Sequence, residues 1–84
     1  MVKTTLLLLI LFFTAEWCIA CKEAKPSILL LMLEGYDIEI VDHPDKRFKK
    51  HNITKLPTLL INKKKVIGTR TKEQYREAID EEMD

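Results

Sequence analysis

Residues Phe13-Thr14-Ala15-Glu16-Trp17-Cys18-Ile19-Ala20-Cys21-Lys22 decide how the rest of the chain is read. They carry the only two cysteines, three residues apart, where an apolar run gives way to a helical pattern. Positions i and i+3 share a helix face, so a helix that opens at Cys18 brings Cys21 within reach of a small-loop disulfide. The free N–H groups and positive dipole end of that helix favour a thiolate on Cys18, and a thiolate attacks disulfides. The reading is therefore a redox-active dithiol. Two alternatives are weaker. Inert buried cysteines need no tight spacing beside polar residues, and a structural zinc site needs four ligands, whereas one CxxC stands alone with His43 and His51 far along the chain.

Working outward, the run Leu6-Leu7-Leu8-Leu9-Ile10-Leu11-Phe12-Phe13 precedes the motif. With Lys3 ahead of it, the order is that of a secretory leader. Cleavage near Thr14-Ala15-Glu16 would leave the CxxC at the very terminus, without a strand to hold it. A bilayer span takes about twenty apolar residues, more than are present. A central strand over Lys3 to Phe13, covered on both faces, explains the run. The expected compartment is then the cytoplasm, with no membrane association.

Beyond the motif, a helix is predicted from Cys18 to about Glu34, with Gly35 as its stop and Pro26 kinking or breaking it. Tyr36 to Asp42 alternates as a strand that puts Tyr36, Ile38 and Ile40 on one face. Pro44 reads as near the first position of a short helix, with Asp or His capping it and Phe48 within Lys46–His51. Pro57 to Ile61 and Lys65 to Gly68 form a hairpin about Asn62-Lys63-Lys64, and Pro57, at a tight corner, is a candidate for the cis isomer. Thr71-Lys72-Glu73-Gln74 has the form of a capping box for a last helix to about Met83, with Tyr75, Ala78 and Ile79 inward. The order is β-α-β-α-β-β-α. At 84 residues this is expected to be one α/β domain over residues 1–84, and a net charge of +1 gives no reason to expect nucleic acid. The lysine clusters at Lys46–Lys50 and Lys63–Lys65 read as solvated faces, either of which could steer an acidic partner.

In this order and spacing the pieces resemble the thioredoxin superfamily over essentially the whole chain. The likeness is to its minimal form, shared by small thioredoxins, glutaredoxins and the glutaredoxin-like small redox proteins of archaea and phages. Phe13 to Lys22 is similar to the thioredoxin active-site stretch; Pro26 falls where the helix-kinking proline stands; Leu56-Pro57-Thr58 looks like the cis-proline corner; Gly68 and Thr71 match the end of the last strand and the start of the last helix. The resemblance implies a four-stranded mixed sheet flanked by three helices. It implies a protein-disulfide reductase, an electron-transport dithiol with Cys18 as nucleophile and Cys21 as resolving thiol. Trp17, Ile19, Ala20, Leu56 and Pro57 would form the substrate surface. It further implies a monomer without a cofactor or metal, acting on disulfide-containing target proteins and recharged by a thioredoxin-reductase-like flavoprotein or by glutathione.

The chain also departs from the pattern. Where thioredoxins hold a buried acid that helps deprotonate the resolving thiol, Phe12 stands, and Glu16 is expected to be exposed. Ile19-Ala20 is neither the Gly-Pro of thioredoxins nor the Pro-Tyr of glutaredoxins. Potentials within the fold run from about −270 to about −120 mV, so resemblance alone does not set the direction of electron flow. Ile67-Gly68-Thr69-Arg70 lacks the Gly-Gly and Asp associated with glutathione use, although Lys22 or Arg70 could hold a glutathione carboxylate. Two further alternatives are an iron–sulfur or metal-binding module built on dimerised Cys18 thiolates and an exported thiol oxidase anchored by residues 1–15.

Overall fold

The computed structural model describes residues 8–83; the first part of the expected opening strand, and residues 1–7 of the expected domain, lie outside them. The described elements are β1 (Ile10–Thr14), α1 (Ile19–Leu33), β2 (Glu39–Asp42), α2 (Arg47–Lys50), β3 (Thr58–Ile61), β4 (Lys64–Ile67) and α3 (Lys72–Met83). The strands form one mixed sheet in the order β2-β1-β3-β4, with β1 parallel to β2 and antiparallel to β3, and β3 antiparallel to β4. This is the four-stranded mixed sheet with three helices that the resemblance to the minimal thioredoxin fold implied.

Strand alternation sorts the apolar run onto two faces. Ile10 and Phe12 of β1, with Leu59 and Ile61 of β3, meet Ala24, Ile28 and Leu31 of α1 and Tyr75, Ala78 and Ile79 of α3. On the opposite face Leu11, Phe13, Val41 and Leu60 are covered by Phe48, Ile53 and Leu56. Both faces of β1 are thus dry, which is why its sequence shows no alternation.

Helix α1 runs unbroken through the exposed Pro26 and stops at Gly35, whose φ of 109° suits a residue without Cβ. Thr71 Oγ1 accepts from the Gln74 N–H at 3.1 Å and Gln74 Oε1 from the Thr71 N–H at 3.0 Å, completing the capping box. Several expected boundaries move: β1 runs over Ile10–Thr14, leaving Leu8 and Leu9 outside it, β3 starts at Thr58 rather than Pro57, and β4 runs over Lys64–Ile67 because Lys64, expected in the turn, pairs with Ile61. Strand β2 begins at Glu39 rather than Tyr36, because the Tyr36 N–H closes the end of α1 on the Leu31 carbonyl and the Ile38 N–H turns back to the Tyr36 carbonyl. Tyr36, Ile38 and Ile40 still share the helix-covered face. Pro44 does not start α2: it lies in the turn after β2, behind a cis His43–Pro44 bond, and Asp45 Oδ1 instead receives the Arg47 N–H at 2.9 Å.

Candidate functional site

The motif lies where β1 ends and α1 begins, at the carboxyl edge of a central strand. The Cys18 N–H is held by the Ala15 carbonyl at 3.2 Å, which turns the chain through the exposed Glu16 and Trp17. Cys18 is the N-cap of α1, in extended conformation (φ −98°, ψ 109°), and its Sγ accepts the Cys21 N–H at 3.1 Å. A sulfur in that place occupies the seat that a capping oxygen takes at other helices, facing N–H groups with no helical partner. Cys18 is half-buried, and Cys21, one turn on, is 1% exposed. Both are free thiols.

Burial pushes the Cys21 thiol above its ordinary pKa, and the hydrogen bond with Cys18 adds to this; the Thr14 hydroxyl and the Ala15 backbone pull the other way. Thr14 is itself buried at the end of β1. Phe12 is 0% exposed within the helix-covered core, so the position of the missing acid is filled by an apolar ring. Tyr75 is close enough to Cys21 for a charge there to raise its own pKa, on top of the larger upward push of burial, and its hydroxyl donates to the Gly68 carbonyl at 2.9 Å.

Around the dithiol, Trp17 and Ile19 are 70% and 73% exposed, Ala20 and Leu56 are half-buried, and Pro57 is buried behind a cis Leu56–Pro57 bond. The Gly68 N–H donates to the Pro57 carbonyl at 2.9 Å, and Thr69 Oγ1 to the Ala20 carbonyl at 3.0 Å, so the segment after β4 ties the proline corner to the first turn of α1. The residues named from the motif therefore sit on the elements that the resemblance implied. Two neighbours were not singled out by their sequence positions. His43, far along the chain, places its ring edge-to-face with Trp17 at 5.8 Å, and Thr14 lies beside the Cys21 thiol. Only the parallel pairing of β1 and β2, which brings Asp42 opposite Thr14, reveals the first.

Among the described residues no three or more His, Cys, Asp or Glu side chains gather where they could hold a metal ion, and no helix is long and apolar enough to cross a membrane. What the arrangement offers chemically is one accessible thiol at a helix N-cap and, one turn on, a buried thiol whose backbone N–H donates to the first sulfur.

Comparison with known proteins bears on the family and the fold. The thioredoxin family model matches residues 1–84. Thioredoxin from Malassezia sympodialis superposes with a TM-score of 0.77 at 19% identity, covering 92% of this chain and 76% of that one. Fasciola hepatica thioredoxin gives 0.73 at 23% identity (88% and 79% covered). The thioredoxin pre-protein of Schistosoma mansoni gives 0.71 at 26% identity (88% and 77%). No curated protein sequence matches.

Proposed function

This chain belongs to the thioredoxin family, and from that premise we propose that it is a reductase of protein disulfides. The observation that carries the proposal is the Cys18 sulfur at the helix N-cap, accepting the N–H of the buried Cys21 beneath it. In the forward reaction the Cys18 thiolate attacks one sulfur of a target disulfide, forming a mixed disulfide and expelling the other target sulfur as a thiolate. The Cys21 thiol gives up its proton and attacks Cys18 Sγ, which releases the second target sulfur and closes the Cys18–Cys21 bond. Two electrons pass to the target. A donor, a thioredoxin-reductase-like flavoprotein in this reading, restores the dithiol.

Trp17 and Ile19 supply exposed apolar surface for the target, and Ala20 lies between the cysteines. The backbone of Leu56, before Pro57, is available to an extended target segment as an added strand would be. Glutathione is the less favoured donor, since Thr69 Oγ1 is engaged by the Ala20 carbonyl and one Arg70 Nη2 by the Ile67 carbonyl. Action as a monomer in the cytoplasm belongs to the same proposal.

The test is turnover of a disulfide-bonded protein with dithiothreitol as donor. Cys18→Ser is expected to abolish it, and Cys21→Ser to accumulate a one-to-one mixed disulfide visible by intact mass. If neither variant differs from the wild type, the proposal is wrong.

A further inference from the structure

Charge is unevenly placed on this chain. Residues 43–55 carry Lys46, Arg47, Lys49, Lys50 and Lys55 against Asp45 alone, whereas α3 carries Glu73, Glu77, Asp80, Glu81 and Glu82 against Lys72 and Arg76. The acid nearest the first group is already engaged. The Arg47 guanidinium bonds both oxygens of Asp45 at 3.0 Å and Glu39 at 3.0 Å. None of the ion pairs among the described residues includes Lys46, Lys49 or Lys50, and all three are exposed.

These lysines are not on a loose flank. The His43 N–H donates to the Thr14 carbonyl at 2.9 Å, and a series of edge-to-face contacts runs from Trp17 to His43 (5.8 Å), His43 to Phe48 (5.1 Å) and Phe48 to the buried Phe13 (5.0 Å). The basic segment is therefore fixed against the residue that precedes Cys18. On it lies a cleft of about 360 Å³ lined by His43, Pro44, Asp45, Lys46, Phe48 and Lys49. Its apolar part is ring and proline, its one carboxylate, Asp45, is taken up by Arg47 and feels the Lys46 charge more weakly, and neither of its lysines forms an ion pair among the described residues. Glu16 and Asp42, the exposed acids next in sequence to Trp17 and His43, do not line it.

We propose that this cleft is a second contact for protein substrates, taking an acidic segment that lies beside the disulfide presented to Cys18. The proposal deepens the reductase reading and rests on it for the identity of the substrate. An apolar centre at Trp17 and Ile19 with unpaired ammonium groups on one side selects, among disulfides of equal reactivity, those flanked by Asp and Glu. Such complementarity acts mainly on encounter and register and fades with salt.

Two probes separate the cleft from the chemistry. A cysteine-free peptide carrying four acidic residues, and its Asn/Gln twin, are titrated against the reduced protein while the fluorescence of Trp17, the only tryptophan, is followed. The same pair, built around an intramolecular disulfide, is then compared by kcat/KM. The acidic peptides are expected to be preferred about tenfold at low ionic strength, with the preference collapsing near ~0.5 M salt. Lys46→Glu should cut the acidic-to-neutral ratio about fivefold. Lys63→Glu, the same charge change in the turn after β3, should leave the ratio in place. Equal binding of the twins overturns the proposal, as does an equal loss in both variants, which would mean overall charge rather than the cleft. An oligonucleotide of matched charge that outcompetes the acidic peptide overturns it in favour of phosphate recognition. Preferential binding of the acidic peptide, lost in Lys46→Glu, without reduction of either disulfide supports the cleft and overturns the reductase reading instead.

Discussion

Cys21 carries the kinetic consequence of one departure from the family pattern, Phe12 where an acid is expected. Burial holds its thiol above the ordinary range, and no carboxylate contributes to that balance; the opposing influences are the Thr14 hydroxyl and the Ala15 backbone. Since only the thiolate attacks, release of the mixed disulfide should quicken by up to about tenfold per pH unit until the Cys21 pKa is reached. Quench-flow decay of the mixed disulfide between pH 6 and pH 9, in roughly one-unit steps, checks this, and a flat profile refutes it. Thr14→Val removes the hydroxyl at nearly constant volume and should slow release about threefold to tenfold, the range for one lost hydrogen bond, with Thr14→Ser recovering most of it. Restoring the family acid is a different matter. Phe12 is wholly buried among apolar side chains, so Phe12→Asp loses a core ring and strands a carboxylate. A loss of at least ~4 kcal/mol in denaturant unfolding is expected.

Helices and strands show which local signals survive tertiary packing. The Thr71–Gln74 capping box formed as its spacing predicts because both partners lie within one turn, and no distant residue competes for them. Thr71→Ala should therefore cost about 1 kcal/mol and lower the melting temperature by about 4–8 °C, measured by circular dichroism. The apolar run, the CxxC at a helix start, the hairpin and the inward face of α3 were legible for the same reason: each is written as a period or a short spacing. The start of β2 was not, since Tyr36 closes α1 before the strand begins. Pro44 misled because proline is equally at home in a turn and at a first helical position, and the choice fell to Arg47, which binds Asp45 through its backbone N–H and its guanidinium. Of the site, the dithiol and its apolar flank could be read directly. His43 could not be placed beside Trp17 until the pairing of β1 with β2 was known.

The molecule as a whole is bounded by two electrostatic regimes of different depth, and pH should separate them. At the acid end the shifted groups are on the surface. Asp45 is held at about 2 by its hydrogen bonds from Arg47, and Glu34 is lowered by its bonds from Lys72 and Arg76. A carboxyl whose pKa is depressed by folding adds stability above its unfolded value, near ~4, and loses it as pH falls toward 2. At the alkaline end the shifted groups are Cys21 and Tyr75, both raised chiefly by burial, together with Tyr36, raised by desolvation and its bond to Asp80. A group whose folded pKa is raised gives stability that is whole below its unfolded pKa and is lost as pH climbs through the folded one. The reduced protein should thus lose stability above the ordinary thiol range of about 8.5. Urea midpoints taken across this span are expected to show a plateau near neutrality with two falling limbs. Salt at about 1 M should flatten the acid limb, whose ion pairs stand in solvent, and leave the alkaline limb, which arises mainly from desolvation. Oxidising the Cys18–Cys21 pair removes the Cys21 thiol from the titration, so the oxidised protein should keep more of its stability at high pH. If the two redox forms share one alkaline limb, Cys21 does not ionise with the cost that its burial implies.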